Sequence, residues 1–74
     1  MTSSMKLQLR PSPGALLRVL GLAERRGYGL VSLEADCGAG LLTLFLTVRS
    51  TRPLSLFLGQ LGKLHDVQQV EVLT

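Results

Sequence analysis

The amino-acid sequence predicts an α+β fold in which one four-stranded antiparallel sheet carries two helices on one face. Three observations point there. Four short segments alternate apolar and polar residues with the period of a half-buried strand, two further segments carry leucine stripes at helical spacing, and the six follow in the order β-α-β-β-α-β.

Met5, Leu7 and Leu9 alternate with Lys6, Gln8 and Arg10, which makes the first strand. Pro11-Ser12-Pro13-Gly14 ends it and predicts a helix from about Pro13, with Ser12 as its side-chain cap and Pro13 at the first helical position, where a missing N–H costs nothing. Leu16, Val19, Leu20 and Ala23 fall at i, i+3, i+4 and i+7 and define the core stripe of that helix. Gly27 is the expected left-handed residue after its last turn, with Tyr28 folding back over the helix end as in a Schellman motif.

Val31, Leu33 and Ala35 alternate with Ser32, Glu34 and Asp36 as the second strand, and Cys37-Gly38-Ala39-Gly40 reads as a hairpin connection. The third strand runs from Leu41 to Arg49 with Leu42, Leu44, Leu46 and Val48 on one face. Ser50-Thr51-Arg52-Pro53 repeats the cap-and-proline opening, and Leu54, Phe57, Leu58 and Leu61, extended by Leu64, stripe the second helix. Gly59 and Gly62 weaken that helix by up to about 1 kcal/mol each, and are either tolerated or mark the close approach of another backbone. Val70 and Val72 supply the last strand. Right-handed crossovers are expected to make the inner strands parallel neighbours in the split βαβ, ferredoxin-like arrangement. The face away from the helices would carry Lys6, Gln8, Ser32, Glu34, Thr43, Thr47, Gln69 and Glu71 with Phe45, Leu41 and Leu73 among them, a candidate contact surface.

Residues 1–74 are read as a single domain. A chain of 74 residues removes only about 60% of its unfolded surface from water, so it gains from help outside its own core. One cysteine and one histidine supply neither a disulfide nor a metal site, which leaves association with another chain. The net charge of +3 is spread along the sequence, with only Arg25 and Arg26 adjacent, and this dispersal disfavours nucleic acid as a partner. The unpaired Cys37 points to the cytoplasm. No stretch approaches the roughly 20 apolar residues of a membrane span, and the first six residues lack the apolar core of a signal peptide, so no membrane association is expected.

No residue reads as catalytic. His65 is the only imidazole, and it suits the end of a helix, where its charge complements the dipole; the adjacent Asp66 projects differently. Ser12, Ser50 and Thr51 read as caps, and Cys37 lacks a second thiolate with which to hold a metal. Phe45 has no second ring in the first strand with which to stack bases. The helix start at Pro13-Gly14-Ala15 offers free N–H groups to a small carboxylate.

The run from Pro13 to Tyr28, PGALLRVLGLAERRGY, followed by Leu33, resembles the PGxLxRVxGLFxRRGYNIxSL segment of acetolactate (acetohydroxyacid) synthase regulatory subunits, and Gln60 to Val67, QLGKLHDV, is similar to that family's QLxKLxDV. The resemblance covers nearly the whole chain and implies an ACT domain that pairs side by side as a homodimer, with an amino-acid effector held near the first loop and the start of the second strand. It places the vestigial or weak effector frame at Gly14, Ala15, Gly29 and Leu30. It also implies a non-catalytic small subunit that activates a large catalytic subunit. Thiamine diphosphate, Mg and FAD would belong to that partner. Arg18, Arg25 and Arg26, with Tyr28 shaping the helix end, are the expected partner contacts.

Valine-responsive relatives carry asparagine in the first loop and after the RRGY tyrosine, where this sequence has Pro11 and Gly29, which offer no side-chain amide. The departure implies weak or absent valine feedback and, with the short length, the isozyme II type of small subunit. Two other readings compete. A free-standing ACT-domain amino-acid sensor would bind its ligand at a homodimer interface without any catalytic partner. An acylphosphatase-like hydrolase would need a water-positioning asparagine, and the sequence contains none.

Overall fold

Alternation along β1 (Thr2–Leu9) and β3 (Leu41–Arg49) creates the core. Met5, Leu7 and Leu9 from the first and Leu44, Leu46 and Val48 from the second are all buried on the same side of the sheet. Helix α1 (Ala15–Arg25) covers them with Ala15, Val19, Leu22 and Ala23, and α2 (Leu54–Leu61) with Phe57 and Leu61. The structure is a computed structural model and describes residues 2–74.

With β2 (Gly29–Gly38) and β4 (Val67–Val72), the strands form one sheet in the order β2-β3-β1-β4. Every adjacent pair is antiparallel, including the two inner strands, where Met5 faces Leu46 and Leu7 faces Leu44. The expectation of parallel inner neighbours is therefore corrected. Each βαβ unit does return parallel to itself, but β3 lies between β1 and β2, and β1 between β3 and β4, so no parallel pair is hydrogen-bonded.

Helix α1 begins at Ala15, two residues later than the expected Pro13, and its N-cap is Gly14 in the left-handed region with no side-chain cap bond. The reading of Ser12 as a side-chain cap is corrected, since its hydroxyl donates to Asp66 instead. Ser50 does not cap α2 either. Its hydroxyl donates to the Gly27 carbonyl and accepts the Arg52 N–H, tying the end of α1 to the start of α2. The C-terminus of α1 is as expected: Gly27 has φ +83°, the Tyr28 N–H reaches the Ala23 carbonyl at 2.9 Å, and the Gly27 N–H reaches that of Glu24 at 3.3 Å.

Strand β2 departs from its predicted pattern. Only Leu33 is partly buried, because β2 is the outer strand beside β3 and the pairing register slips between Leu30 and Ser32, leaving Val31 as a bulge residue 50% exposed. At the other end of the strand, Ala39 and Gly40 make a two-residue hairpin turn with φ of +54° and +75°. Ala39 is the one non-glycine residue among those described that occupies the left-handed region.

Relief of that conformation is measurable. Ala39→Asn, which tolerates positive φ, is expected to stabilise the hairpin by about 0.5–1 kcal/mol and raise the melting temperature by several degrees in far-UV circular dichroism. A variant melting below the parent chain would show that the turn is not held in this geometry.

Candidate functional site

The residues of the expected effector frame do not meet within one chain. Gly14 and Ala15 stand at the start of α1, whereas Gly29 and Leu30 open β2 after its end. Eleven residues of helix separate the two pairs, about 16 Å at 1.5 Å per residue, too far for one small amino acid to touch both. In the side-by-side pairing that the resemblance implies, the free edge of β2 is where a second copy would add. That edge is long and mixed in character: β2 spans ten residues, its outer side is unpaired, and Leu30 and Val31 are exposed along it together with Glu34 and Asp36.

The loop side of that frame is already filled by this chain's own residues. Arg18 folds back over Gly14, so that a Cβ there would lie 3.0 Å from the guanidinium. Its Nε donates to Asp66 Oδ2 at 2.7 Å, its Nη2 completes the ion pair, and Ser12 Oγ donates to Asp66 Oδ1 at 2.6 Å. Arg18 Nη2 also reaches Ser12 Oγ at 3.2 Å. Asp66 is 6% exposed, and its carbonyl accepts the Arg10 N–H at 2.9 Å, so one residue ties the β1–α1 loop, α1 and the α2–β4 turn together. Arg18 is thereby an internal clamp with its outer edge in solvent. The Ser12 hydroxyl bond and the Arg18 guanidinium hold the Asp66 carboxyl below the usual carboxylate range.

Tyr28, expected at a contact surface, is a core residue: it is 3% exposed, its ring stacks on Phe57 with centroids 4.7 Å apart, and its hydroxyl donates to the Pro53 carbonyl at 2.6 Å. This corrects its reading as a surface anchor and makes it the pin between the end of α1 and the start of α2. Arg25 and Arg26 are exposed, and Arg26 donates to the Gln60 side-chain carbonyl of α2 at 3.3 Å.

On the opposite side of the sheet, Glu34, Phe45, Lys6 and Glu71 form one cross-strand row, with the Lys6 ammonium 5.9 Å from the centre of the Phe45 ring. Beside it Ser4 and Thr47 share a hydroxyl bond of 2.9 Å. A concavity of about 290 Å³ lies between the start of β1, the end of β3 and the start of α2, over Val48, Pro53 and Leu54. It contains none of the expected effector residues. His65 is exposed, and its neighbour Asp66 is committed to Ser12 and Arg18. Among the described residues no three His, Cys, Asp or Glu side chains converge as a metal site, and no helix is long and apolar enough to cross a membrane.

A family model described as ACT domain matches residues 11–70. No match was found among curated proteins. Solved structures similar to this chain include the ACT domain from GTP pyrophosphokinase of Chlorobium tepidum, at TM-score 0.84 and 16% identity over 99% of this chain and 97% of that one. The small subunit of acetolactate synthase from Thermotoga maritima superposes with TM-score 0.84 and 23% identity, covering 97% of this chain but 47% of that one. Phospho-2-dehydro-3-deoxyheptonate aldolase from Thermotoga maritima matches at TM-score 0.76 and 18% identity, over 100% of this chain and 21% of that one. At these identities the superpositions establish the fold, and this chain spans about half of the first Thermotoga protein and a fifth of the second.

The lowered pKa of Asp66 sets a pH dependence. Its contribution to stability is fully present above the unfolded-state value of about 4 and is lost as pH falls through the lower folded-state value. Asp66→Asn is therefore expected to be less stable than the parent at neutral pH, with the gap closing as pH drops below about 4 in denaturant titrations. A gap independent of pH would remove the ion pair from the account.

Proposed function

The chain belongs to the ACT domain family, and from that premise we propose that it is the small, non-catalytic activating subunit of an acetolactate synthase. The observation that carries this reading is the fit between two sequence segments and one piece of architecture. PGALLRVLGLAERRGY and QLGKLHDV resemble two separate segments of acetolactate synthase regulatory subunits, and Arg18 of the first clamps Asp66 of the second. A structural relative described as an acetolactate synthase small subunit supports the same assignment.

In this role the chain binds preferentially to the active conformation of a large catalytic subunit and so raises the population of that state. Thiamine diphosphate, Mg and FAD reside in the large subunit. The active form of the small subunit is a homodimer joined across β2, which brings Gly14 and Ala15 of one copy to Gly29 and Leu30 of the other. Because Pro11 and Gly29 offer no side-chain amide at that junction and Arg18 occupies its loop side, valine binds weakly or not at all. The protein works in the cytoplasm.

The direct test is reconstitution. Adding the purified chain to the catalytic subunit from the same genome is expected to raise acetolactate production severalfold, with no inhibition by millimolar valine. Unchanged turnover would end the proposal, and tight binding of a branched-chain amino acid by the chain alone would favour a free-standing sensor. The dimer is tested separately: Val31→Lys places a charge on the exposed β2 edge and is expected to convert a dimer to a monomer in sedimentation velocity. A parent chain that sediments as a monomer at micromolar concentration would remove the shared effector frame.

A further inference from the structure

We infer that the cleft between the end of α1 and the outer face of α2 is the docking site for an acidic segment of the catalytic subunit, an inference that rests on the assignment above. Arg26, Tyr28, Arg52, Leu56 and Gln60 line this cleft, which has a volume of about 120 Å³. Arg26 and Arg52 both expose their guanidinium groups, and neither forms an ion pair with any described residue, whereas Arg18 has Asp66. Both free arginines are nevertheless held in place. Arg26 is bonded to Gln60, and Arg52 packs against the bare Cα of Gly27, where a Cβ would lie 3.1 Å from its Nε. Two oriented guanidinium groups without a carboxylate of their own form a receptor for one supplied from outside.

Size and surroundings decide the source of that carboxylate. Pockets that enclose free ligands run from about 300 Å³ upward, and this cleft is well below that, the size of a single inserted side chain. Its margin also continues into a surface suited to a polypeptide. Leu56, Gly59 and Gln60 follow at i, i+3 and i+4 on the outward side of α2; Leu56 is 56% exposed, and a Cβ added at Gly59 would meet nothing within 4 Å. Gly59 therefore weakens the helix without serving any contact inside the chain, as expected where another backbone comes close. Helix α2 packs toward β4, at the far side of the sheet from β2, so pairing of two copies through β2 leaves this face free.

The test uses the full-length chain and the purified catalytic subunit in isothermal titration calorimetry. Arg26→Gln/Arg52→Gln is expected to weaken the complex on the order of tenfold or more and to flatten its salt dependence. The control Arg10→Gln/Arg49→Gln, with the same change in net charge at exposed residues outside the cleft, is expected to weaken it far less. Gly59→Gln, which clashes with nothing in the chain, is expected to keep the parent's circular dichroism while loosening the complex. Tight binding by the parent and equally tight binding by the Arg26/Arg52 variant would overturn this inference alone. No complex with the parent chain would overturn the subunit assignment and this inference with it. Saturable binding of 3-methylbutanoate to the isolated chain, lost in the Arg26/Arg52 variant, would make the cleft a small-molecule site and overturn the docking.

Discussion

The inward face of the β1–β3 pair is the constraint on which the rest of the molecule depends. Met5, Leu7, Leu9, Leu44, Leu46 and Val48 form a continuous apolar surface that must be covered, and a chain this short has only two helices with which to do it. Both helices are therefore committed to the middle of the sheet. Burial of a single large aliphatic or aromatic side chain contributes roughly 1.5–3 kcal/mol, so the buried residues of these two strands and two helices hold most of the favourable free energy. What lies outside their cover, the β2 edge, the outer sides of both helices and the second sheet face, is left to water or to other chains.

Two polar devices keep the helices over that surface, one at each end of α1. At its start, Asp66 draws Arg18 and Ser12 together and fixes the loop from β1 against the turn into β4. At its end, Tyr28 stacks on Phe57 and donates to Pro53, while Ser50 donates to Gly27, so the entry to α2 is locked to the exit from α1. Each device joins residues distant in sequence, and each leaves its buried polar atoms paired. The weaker helix benefits most, since α2 is eight residues long with Gly59 exposed within it, and a segment of that length has little helical stability without tertiary support.

What the sequence made legible follows a physical division between local and distant interactions. The core faces of β1 and β3, the helical positions of the two stripes and the Gly27 helix ending were readable because each depends on neighbours within a few positions, although on α1 Leu22 is buried more deeply than the expected Leu16 and Leu20. The roles of Ser12 and Asp66 were not, because they stand 54 positions apart and the local alternative, a helix cap, suits a serine before Pro-Gly equally well. Tyr28 was misplaced for a similar reason, since only the fold puts Phe57 beneath its ring. On β2, alternation suggested a half-buried strand, but its outer position leaves it mostly in solvent.

The split of Gly14 and Gly29 to opposite ends of α1 links this architecture to regulation. Under the proposed homodimer, a site divided between the two ends of a helix would be incomplete in one chain and completed twice, symmetrically, by an isologous pair. Any ligand held there would be bound by the dimer and not by the monomer, so occupancy and association would be thermodynamically linked. In this chain, Arg18 fills the loop side of that position and is itself held by Asp66. The ion pair that steadies the start of α1 thus lies directly over the backbone at which the resemblance places an effector.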